Sequence, residues 1–129
     1  MNWKKAEEIV RSLCKGKFTK ASGSTHGDVD VISDEYAIEV KSTGKPRFRV
    51  TKSLLDKLWN NAVVRGLTPL LIIFFNEDMY IFILKRALNK SNKNSVSINI
   101  KNILDKYYVH HYILERLEIP KGGENVQKI

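Results

Sequence analysis

The sequence predicts an α/β domain in which a central mixed β-sheet is flanked by helices. The chain has 129 residues, a length that fits one domain and can bury a core of its own. Segments with the 3.6-residue apolar period of helices alternate with segments of two-residue period, in the order α-β-β-β-α-β-β-α. We therefore expect a single domain over residues 1–120 and a flexible tail over residues 121–129.

The first third of the chain predicts a helix followed by a β-hairpin. Apolar residues recur at helical spacing over residues 3–15, and Phe18 begins an edge strand. Residues 28–32 and 36–41 both alternate with period two, which is typical of paired strands. One face of this hairpin carries Val29, Val31, Ile38 and Val40, and the other face carries Asp28, Asp30, Glu39 and Lys41.

The rest of the chain predicts three more strands and two or three helices. Residues 47–50 alternate as a short strand, and Thr51 caps a helix that Gly66 ends. The unbroken apolar run Leu70–Phe75 indicates a strand covered on both faces, with Met79–Leu84 as its antiparallel partner. The polar residues 85–95 suggest a short helix that frays into a loop. A further helix is predicted from the spacing of Ile100, Ile103, Leu104, Tyr107, His111 and Leu114.

Charge and cysteine content narrow the class of protein. There are 22 Lys and Arg against 14 Asp and Glu, a formal net charge of +8, which favours a polyanionic partner. The one cysteine, Cys14, excludes an internal disulfide framework and a multi-cysteine zinc site. The N-terminal residues lack the apolar core of a signal peptide, and no apolar run could span a bilayer. We expect a soluble, intracellular (cytoplasmic) protein that does not enter a membrane.

The acidic face of the hairpin is the first candidate site. A two-residue turn at Ser33-Asp34 places Asp28 opposite Glu39, whereas a turn at Asp34-Glu35 places Asp30 there. Turn chemistry favours the first, because Ser and Asp form local side-chain bonds better than Glu does. Carboxylates held so close repel each other unless a cation lies between them. A site with only oxygen ligands predicts Mg²⁺, for which Mn²⁺ can substitute.

Basic residues follow this acidic face directly. Lys41 leaves the same face as Glu39, where an ammonium can orient water or stabilise a phosphate in its transition state. The adjoining segment has no acid among residues 40–55. Its basic strip consists of Lys45, Arg47, Arg49 and Lys52, and Lys57 follows on the helix. Carboxylates beside a basic surface predict phosphodiester hydrolysis. The alternatives are solvated side chains without a role, and a nucleic-acid-binding module that uses only the basic strip.

One nuclease superfamily shows the same order of motifs. The segments Gly27-Asp28-Val29-Asp30 and Ile38-Glu39-Val40-Lys41-Ser42 resemble the Asp…Glu-x-Lys core of the PD-(D/E)xK nucleases. The likeness continues through Phe48-x-Val50-Thr51, the following helix and Pro69–Ile73, and covers roughly residues 3–85. Within the superfamily, the sequence looks most like archaeal-type and phage Holliday junction resolvases. This resemblance implies a restriction-endonuclease-like α-β-β-β-α-β core.

The resemblance also implies roles for individual residues. Asp28, which follows Gly27, would be the first metal ligand, with Asp30 as a rival or auxiliary ligand. Glu39 and the carbonyl of Val40 would be further ligands, and Lys41 would be the catalytic lysine. Glu7 would take the place of a first-helix glutamate that such resolvases use. The residues that would contact DNA are Ser24, Lys45, Arg47, Arg49, Lys52 and Lys57.

The activity implied in this way is Mg²⁺-dependent cleavage of branched DNA, above all of four-way junctions. Two symmetric incisions in a junction would require a homodimer. A nicking or restriction-type nuclease of the same superfamily is the alternative within the enzyme class.

Overall fold

One long helix and two β-sheets dominate the described part of the molecule. The structure is a computed structural model that describes residues 4–5, 8–10, 17–18, 29–88 and 91–118. Residues 4–5 and 8–10 are helical, in agreement with the predicted first helix. The elements that follow are β1 (Lys17–Phe18), β2 (Val31–Ile32), β3 (Tyr36–Thr43), β4 (Arg47–Thr51), α1 (Lys52–Arg65), β5 (Thr68–Phe75), β6 (Asp78–Arg86), β7 (Ser95–Asn99), a 3₁₀ turn (Ile100–Asn102), β8 (Lys106–Val109) and β9 (Tyr112–Leu117).

The larger sheet is mixed, and a two-stranded ribbon accompanies it. Its seven strands follow the order β1-β2-β3-β5-β6-β9-β8. Strands β3 and β5 are parallel, and the other neighbours in this sheet are antiparallel. The ribbon pairs β4 with β7 in antiparallel orientation. This architecture confirms the predicted α/β class with a mixed central sheet.

Strand β5 is buried on both faces of the sheet, as its unbroken apolar run predicted. On one face Leu71 belongs to the same core as Leu55 of α1. On the other face Leu70 belongs to a second core that includes Val10 from the N-terminal helical residues. Full burial of such a side chain stabilises the fold by about 1.5–3 kcal/mol. Helical residues therefore cover both faces of the sheet at β5.

Helix α1 begins and ends where the sequence predicts. The Thr51 side chain accepts a hydrogen bond from the N–H of Leu54 at 3.2 Å, which satisfies one backbone donor of the first turn. Gly66 ends the helix with φ of 66°, a left-handed conformation that favours glycine. The buried stripe consists of Leu55, Leu58 and Ala62. Val63, which adjoins Ala62 in the sequence, is 57% exposed.

The predicted helix from Ile100 to Leu114 is wrong. Residues 100–102 form a single 3₁₀ turn, and the chain then forms the antiparallel hairpin β8–β9. Burial alternates along β8, where Tyr107 and Val109 are buried and their neighbours are exposed. Apolar and polar residues alternate along each of these two short strands, and the turn between them shifts the alternation. The combined spacing of the apolar residues therefore resembles the period of a helix. The pairing of β9 with β6 favours strands over a helix here. Tyr, Val and Ile are also enriched in β-strands.

The predicted short helix over residues 85–95 is also wrong for the residues that the structure describes there. Lys85 and Arg86 continue β6, and β7 already begins at Ser95. The reason is tertiary: β9 pairs with the end of β6, and β4 pairs with β7. Partners so distant along the chain leave no local sequence pattern.

Two expectations concern the ends of the chain and the membrane. The described helical residues include no helix that is both long and apolar enough to cross a bilayer. Residues 121–129 lie outside the described residues, and the flexible tail stays a prediction.

Candidate active site

The β2–β3 hairpin positions the acidic residues, and hydrogen bonds at its turn determine its register. Val31 pairs with Ile38, so the two turn residues are Asp34-Glu35. The N–H of Ser33 donates to the carbonyl of Tyr36 at 2.9 Å, and the N–H of Tyr36 donates to the Ser33 hydroxyl at 3.0 Å. The serine thus makes its local bonds from the position that precedes the turn.

The predicted turn at Ser33-Asp34 is wrong, and so is the register that placed Asp28 opposite Glu39. The carboxylate of Asp30 bonds the backbone of β3 at the residue after Glu39. Its Oδ2 atom accepts a hydrogen bond at 2.8 Å from the N–H of Val40, the peptide nitrogen that follows Glu39. Asp30 is 8% exposed, so its carboxylate belongs to the interior rather than to a solvated face.

The chain leaves the regular ladder at Asp30, as at a β-bulge. The N–H of Asp30 donates to the carbonyl of Ile38 at 3.1 Å, one residue away from the register of the strands. As a result, Val29 and Val31 pack in different cores, Val29 with Ala37 and Val31 with Ile38. The expectation that Val29 shares a face with Val31 and Ile38 is therefore wrong. Strand periodicity alone does not reveal an extra residue in a strand.

Glu39 is a buried carboxylate with two unequal oxygens. The side chain is 1% exposed, although the removal of a charge from water is costly unless partners compensate. Its Oε2 atom lies 3.3 Å from the ammonium of Lys41 and 3.1 Å from that of Lys57. Its Oε1 atom has no hydrogen-bond partner and is the one such buried side-chain atom among the described residues. One oxygen is thus neutralised, and the other has no partner among the described residues.

Lys57 reaches Glu39 from helix α1, an interaction that the sequence analysis missed. Lys57 was expected to contact phosphate, but here its ammonium bonds a carboxylate 18 residues away in sequence. The sequence could have indicated this contact, because Lys57 adjoins Leu58 of the apolar stripe that packs on the sheet. A lysine at the border of such a stripe can extend over the sheet face that carries Glu39.

The residues present fit a divalent metal of the kind that the family resemblance implies. Asp30 and Glu39 supply two carboxylates, and Mg²⁺ is commonly bound through one or two carboxylates with water in the remaining positions. The unpartnered Oε1 atom of Glu39 is the donor that such an ion would satisfy. The described residues contain no group of three or more His, Cys, Asp or Glu side chains that could hold a metal.

Three of the predicted site residues lie outside the described residues. They are Glu7, Ser24 and Asp28, and their roles stay predictions. Val40 lies beside Glu39 with its N–H bonded to Asp30, and the part of its carbonyl in metal binding also stays a prediction.

The basic strip divides into exposed and paired side chains. Lys45, Arg47 and Arg49 are exposed, the last two on β4, as expected from alternation. Arg49 donates from Nε to the hydroxyl of Ser95 at 3.0 Å, which orients its guanidinium along the ribbon. Lys52 differs from the other members, because its ammonium lies 2.7 Å from a carboxylate oxygen of Asp56.

Asp56 forms a separate network on the same helix. Its carboxylate accepts hydrogen bonds from Lys52 at 2.7 Å and from the Tyr112 hydroxyl at 2.6 Å. Burial raises the pKa of Asp56, but the bonds from Lys52 and Tyr112 together outweigh it, so the pKa lies below its usual value. Each oxygen of this carboxylate accepts a bond from a protein donor, in contrast to Glu39, whose Oε1 atom has none.

Comparison with known proteins gives a likeness in structure. No protein-family model matches the sequence, and no curated protein matches it. Among solved structures, the chain is similar to Hjc of Archaeoglobus fulgidus, a Holliday junction resolvase from an archaeal hyperthermophile. The TM-score is 0.57 at 13% identity, and the match covers 76% of this chain and 84% of that one. The chain therefore has a fold like that of an archaeal junction resolvase.

Proposed function

We propose that the protein is a Mg²⁺-dependent DNA endonuclease of the PD-(D/E)xK type that cuts branched DNA such as four-way junctions. One observation carries the proposal: the buried carboxylate of Glu39 contacts two ammonium groups through one oxygen and leaves the other unpartnered, while the Asp30 carboxylate bonds the peptide nitrogen that follows Glu39. A binding module has no need of buried carboxylates, which oppose a polyanion. The fold shared with an archaeal junction resolvase supports the same interpretation.

Each residue of the site has a chemical role in this proposal. Asp30 and Glu39 would hold the metal, and when bound it would supply charge stabilisation to the scissile phosphate and activate water. The bond from Val40 to Asp30 fixes that carboxylate at the peptide nitrogen that follows Glu39. Lys41, half-exposed at 3.3 Å from Glu39, presents a positive charge where negative charge develops on the phosphate.

The exposed part of the basic strip would bind the DNA backbone. Lys45, Arg47 and Arg49 follow β3 directly in the chain and carry positive charge without an acid among residues 40–55. Lysine and arginine contacts to phosphate supply affinity without sequence selectivity. This suits an enzyme that selects DNA by its shape.

A homodimer would place two such sites on one junction. Two incisions related by two-fold symmetry require two active sites in the same relation. Sedimentation equilibrium of the full chain, with and without a four-way junction, measures this directly. We expect a dimer, and a monomer bound to the junction would contradict it.

Cleavage of labelled DNA tests the proposal. The full chain is incubated with a four-way junction, a duplex and a single strand of matched length, in Mg²⁺, in Mn²⁺ and in EDTA. Glu39→Gln and Lys41→Met are compared with the matched control Glu77→Gln, which alters an exposed turn residue. We expect paired incisions in the junction that require the metal.

The variants separate catalysis from binding. Both site variants should lose cleavage and still retard the junction in a gel, since the basic strip is intact, and the Glu77 variant should cut at the wild-type rate. Retardation without cleavage in wild type would favour a binding module. Preferential cleavage of duplex would favour a restriction-type or nicking enzyme. Undiminished cleavage by Glu39→Gln would mean that the site lies elsewhere.

A further inference from the structure

Glu39 has one more cationic partner than the Asp…Glu-x-Lys motif provides. Lys41 belongs to that motif and lies 3.3 Å from Oε2. Lys57 approaches the same oxygen more closely, at 3.1 Å, and comes from a different element, helix α1. Both ammonium groups are partly exposed, at 37% and 32%, whereas the carboxylate between them is 1% exposed.

The second ammonium has an electrostatic consequence for a metal at this site. A cation bound to Oε1 would share one carboxylate with the ammonium of Lys57, so two positive charges would lie within a few ångströms. Charges so close in a partly buried place repel each other strongly. Yet without a metal, the buried charge of Glu39 needs compensation, and Lys57 supplies it.

We propose that Lys57 is a built-in counter-ion that competes with the divalent metal for Glu39. Its ammonium stabilises the buried carboxylate in the metal-free protein and weakens metal binding for the same reason. This inference rests on the proposed function, because it takes Glu39 as a metal ligand. It assigns to Lys57 a role that differs from the expected phosphate contact.

Thermodynamic linkage makes the proposal quantitative. If Lys57 lowers the metal affinity by some factor, bound metal must lower the contribution of Lys57 to stability by the free energy that corresponds to that factor. Removal of the charge should therefore tighten metal binding and destabilise the metal-free protein. A merely structural lysine would give the opposite sign, since a loosened site binds metal less well.

Calorimetry of Mn²⁺ binding to the full chain without DNA tests this inference. In Lys57→Gln the amide still reaches toward Glu39 but carries no charge, and Lys57→Met serves as a second neutral variant should the first fold poorly. We expect both to bind Mn²⁺ at least about fivefold more tightly than wild type, the lower end of typical coupling between sites. Lys57→Arg keeps the charge and should bind Mn²⁺ as weakly as wild type.

A matched control removes a lysine of another Lys–Glu pair. Lys85 lies 2.9 Å from Glu115 at the exposed end of β6, away from the candidate site, so Lys85→Gln should leave the Mn²⁺ affinity unchanged. Thermal unfolding provides an independent measurement. The midpoint of Lys57→Gln should lie below that of wild type in EDTA, and the difference should shrink in saturating Mn²⁺.

The outcomes distinguish this inference from the proposed function. Equal or weaker Mn²⁺ binding by both neutral variants would overturn the counter-ion role, while loss of binding in Glu39→Gln would still support the metal site. Tighter binding in Lys57→Arg as well would overturn it too, because charge would not be the cause. If wild type binds no Mn²⁺ with or without a junction, both the metal site and this inference fail.

Discussion

A carboxylate that is almost fully buried needs a reason, and Glu39 has one in its two neighbours and its unpartnered oxygen. Lys41 and Lys57 neutralise Oε2, but no described group reaches Oε1. Buried polar atoms without a partner are uncommon in folded proteins, and a bound ion is one of the explanations for such an atom. The two oxygen atoms of Glu39 therefore have different surroundings, and the unpartnered one is the candidate metal ligand.

The corrected register leads to a prediction at Asp30. We expect Asp30→Asn to lose metal-dependent cleavage, because the amide cannot replace a carboxylate as an anionic ligand. The fold should persist, since the amide oxygen can still accept the hydrogen bond from Val40. The measurement is the initial cleavage rate as a function of Mg²⁺ concentration, with circular dichroism to verify folding.

The control for this variant is Asp34→Asn, which changes an exposed turn residue of the same hairpin. It should cleave at the wild-type rate. Wild-type cleavage by Asp30→Asn, with loss of cleavage in Asp28→Asn, would show that Asp28 is the principal ligand and that Asp30 only shapes the hairpin.

At the scale of elements, helix α1 connects the site to the rest of the fold. Its N-terminus follows β4 directly and is capped by Thr51, the last residue of that strand. Its buried stripe anchors it on the sheet, and Lys57 extends from it to Glu39. Anything that frays the first turns of α1 therefore disturbs the site as well.

The cap gives a prediction of stability. Thr51→Ala should lower the free energy of unfolding by about 1 kcal/mol, because the N–H of Leu54 loses its acceptor. Urea denaturation followed by circular dichroism measures the change. Thr51→Ser retains the hydroxyl and should recover most of the loss, whereas an equal loss in both variants would point to packing of the threonine methyl group.

The ribbon of β4 and β7 gives a prediction of DNA affinity. Replacement of Lys45, Arg47 and Arg49 by Ala should weaken binding to every DNA substrate and reduce its salt dependence, because the slope falls by about 0.9 for each phosphate that the protein no longer neutralises. Fluorescence anisotropy over a range of NaCl concentrations measures the slope. Lys85→Ala, at the end of β6, is the control, and an unchanged slope in the triple variant would show that this ribbon faces away from DNA.

At the scale of the whole molecule, a hydrogen bond links strand β9 to helix α1. The Tyr112 hydroxyl of β9 donates to Asp56 of α1 at 2.6 Å, across 56 residues of sequence. Burial and the bond to Asp56 raise the pKa of Tyr112 above its usual value. The guanidinium of Arg86 lies over the rings of both Trp59 and Tyr112, at 4.8 and 5.2 Å, so that β6, β9 and α1 meet here.

This link predicts a pH-dependent contribution to stability. Tyr112→Phe should lower the free energy of unfolding by about 1 kcal/mol at pH 7, a modest value because Asp56 is partly exposed. The pKa of Asp56 is lowered in the fold, so its contribution is present above its unfolded pKa and is lost as pH falls through the folded value. The difference between wild type and variant should accordingly shrink below about pH 4.

Urea denaturation at pH 7, 5 and 3 measures this difference. Tyr108→Phe, which alters an exposed tyrosine of β8, should match wild type at every pH. A difference between wild type and Tyr112→Phe that stays constant down to pH 3 would show that the effect comes from packing rather than from the charged acceptor.

Local chemistry by itself determined much of this protein. The strand β3, the apolar run of β5 and the cap and stop of α1 follow from the properties of short segments, and the structure has each of them. The choice of Glu39 and Lys41 as a candidate pair also followed from alternation on one strand, and the two side chains are in contact.

Tertiary structure alone decided the remainder. The Asp30 carboxylate bonds the backbone of the next strand at the residue after Glu39, and Lys57 reaches Glu39 from helix α1. Residues 106–117 form the hairpin β8–β9 rather than a helix because β9 pairs with the edge of β6. In each case the interaction partner is distant in sequence or is a backbone group. Such partners do not affect the spacing of apolar residues in a segment, so the sequence pattern could not predict them.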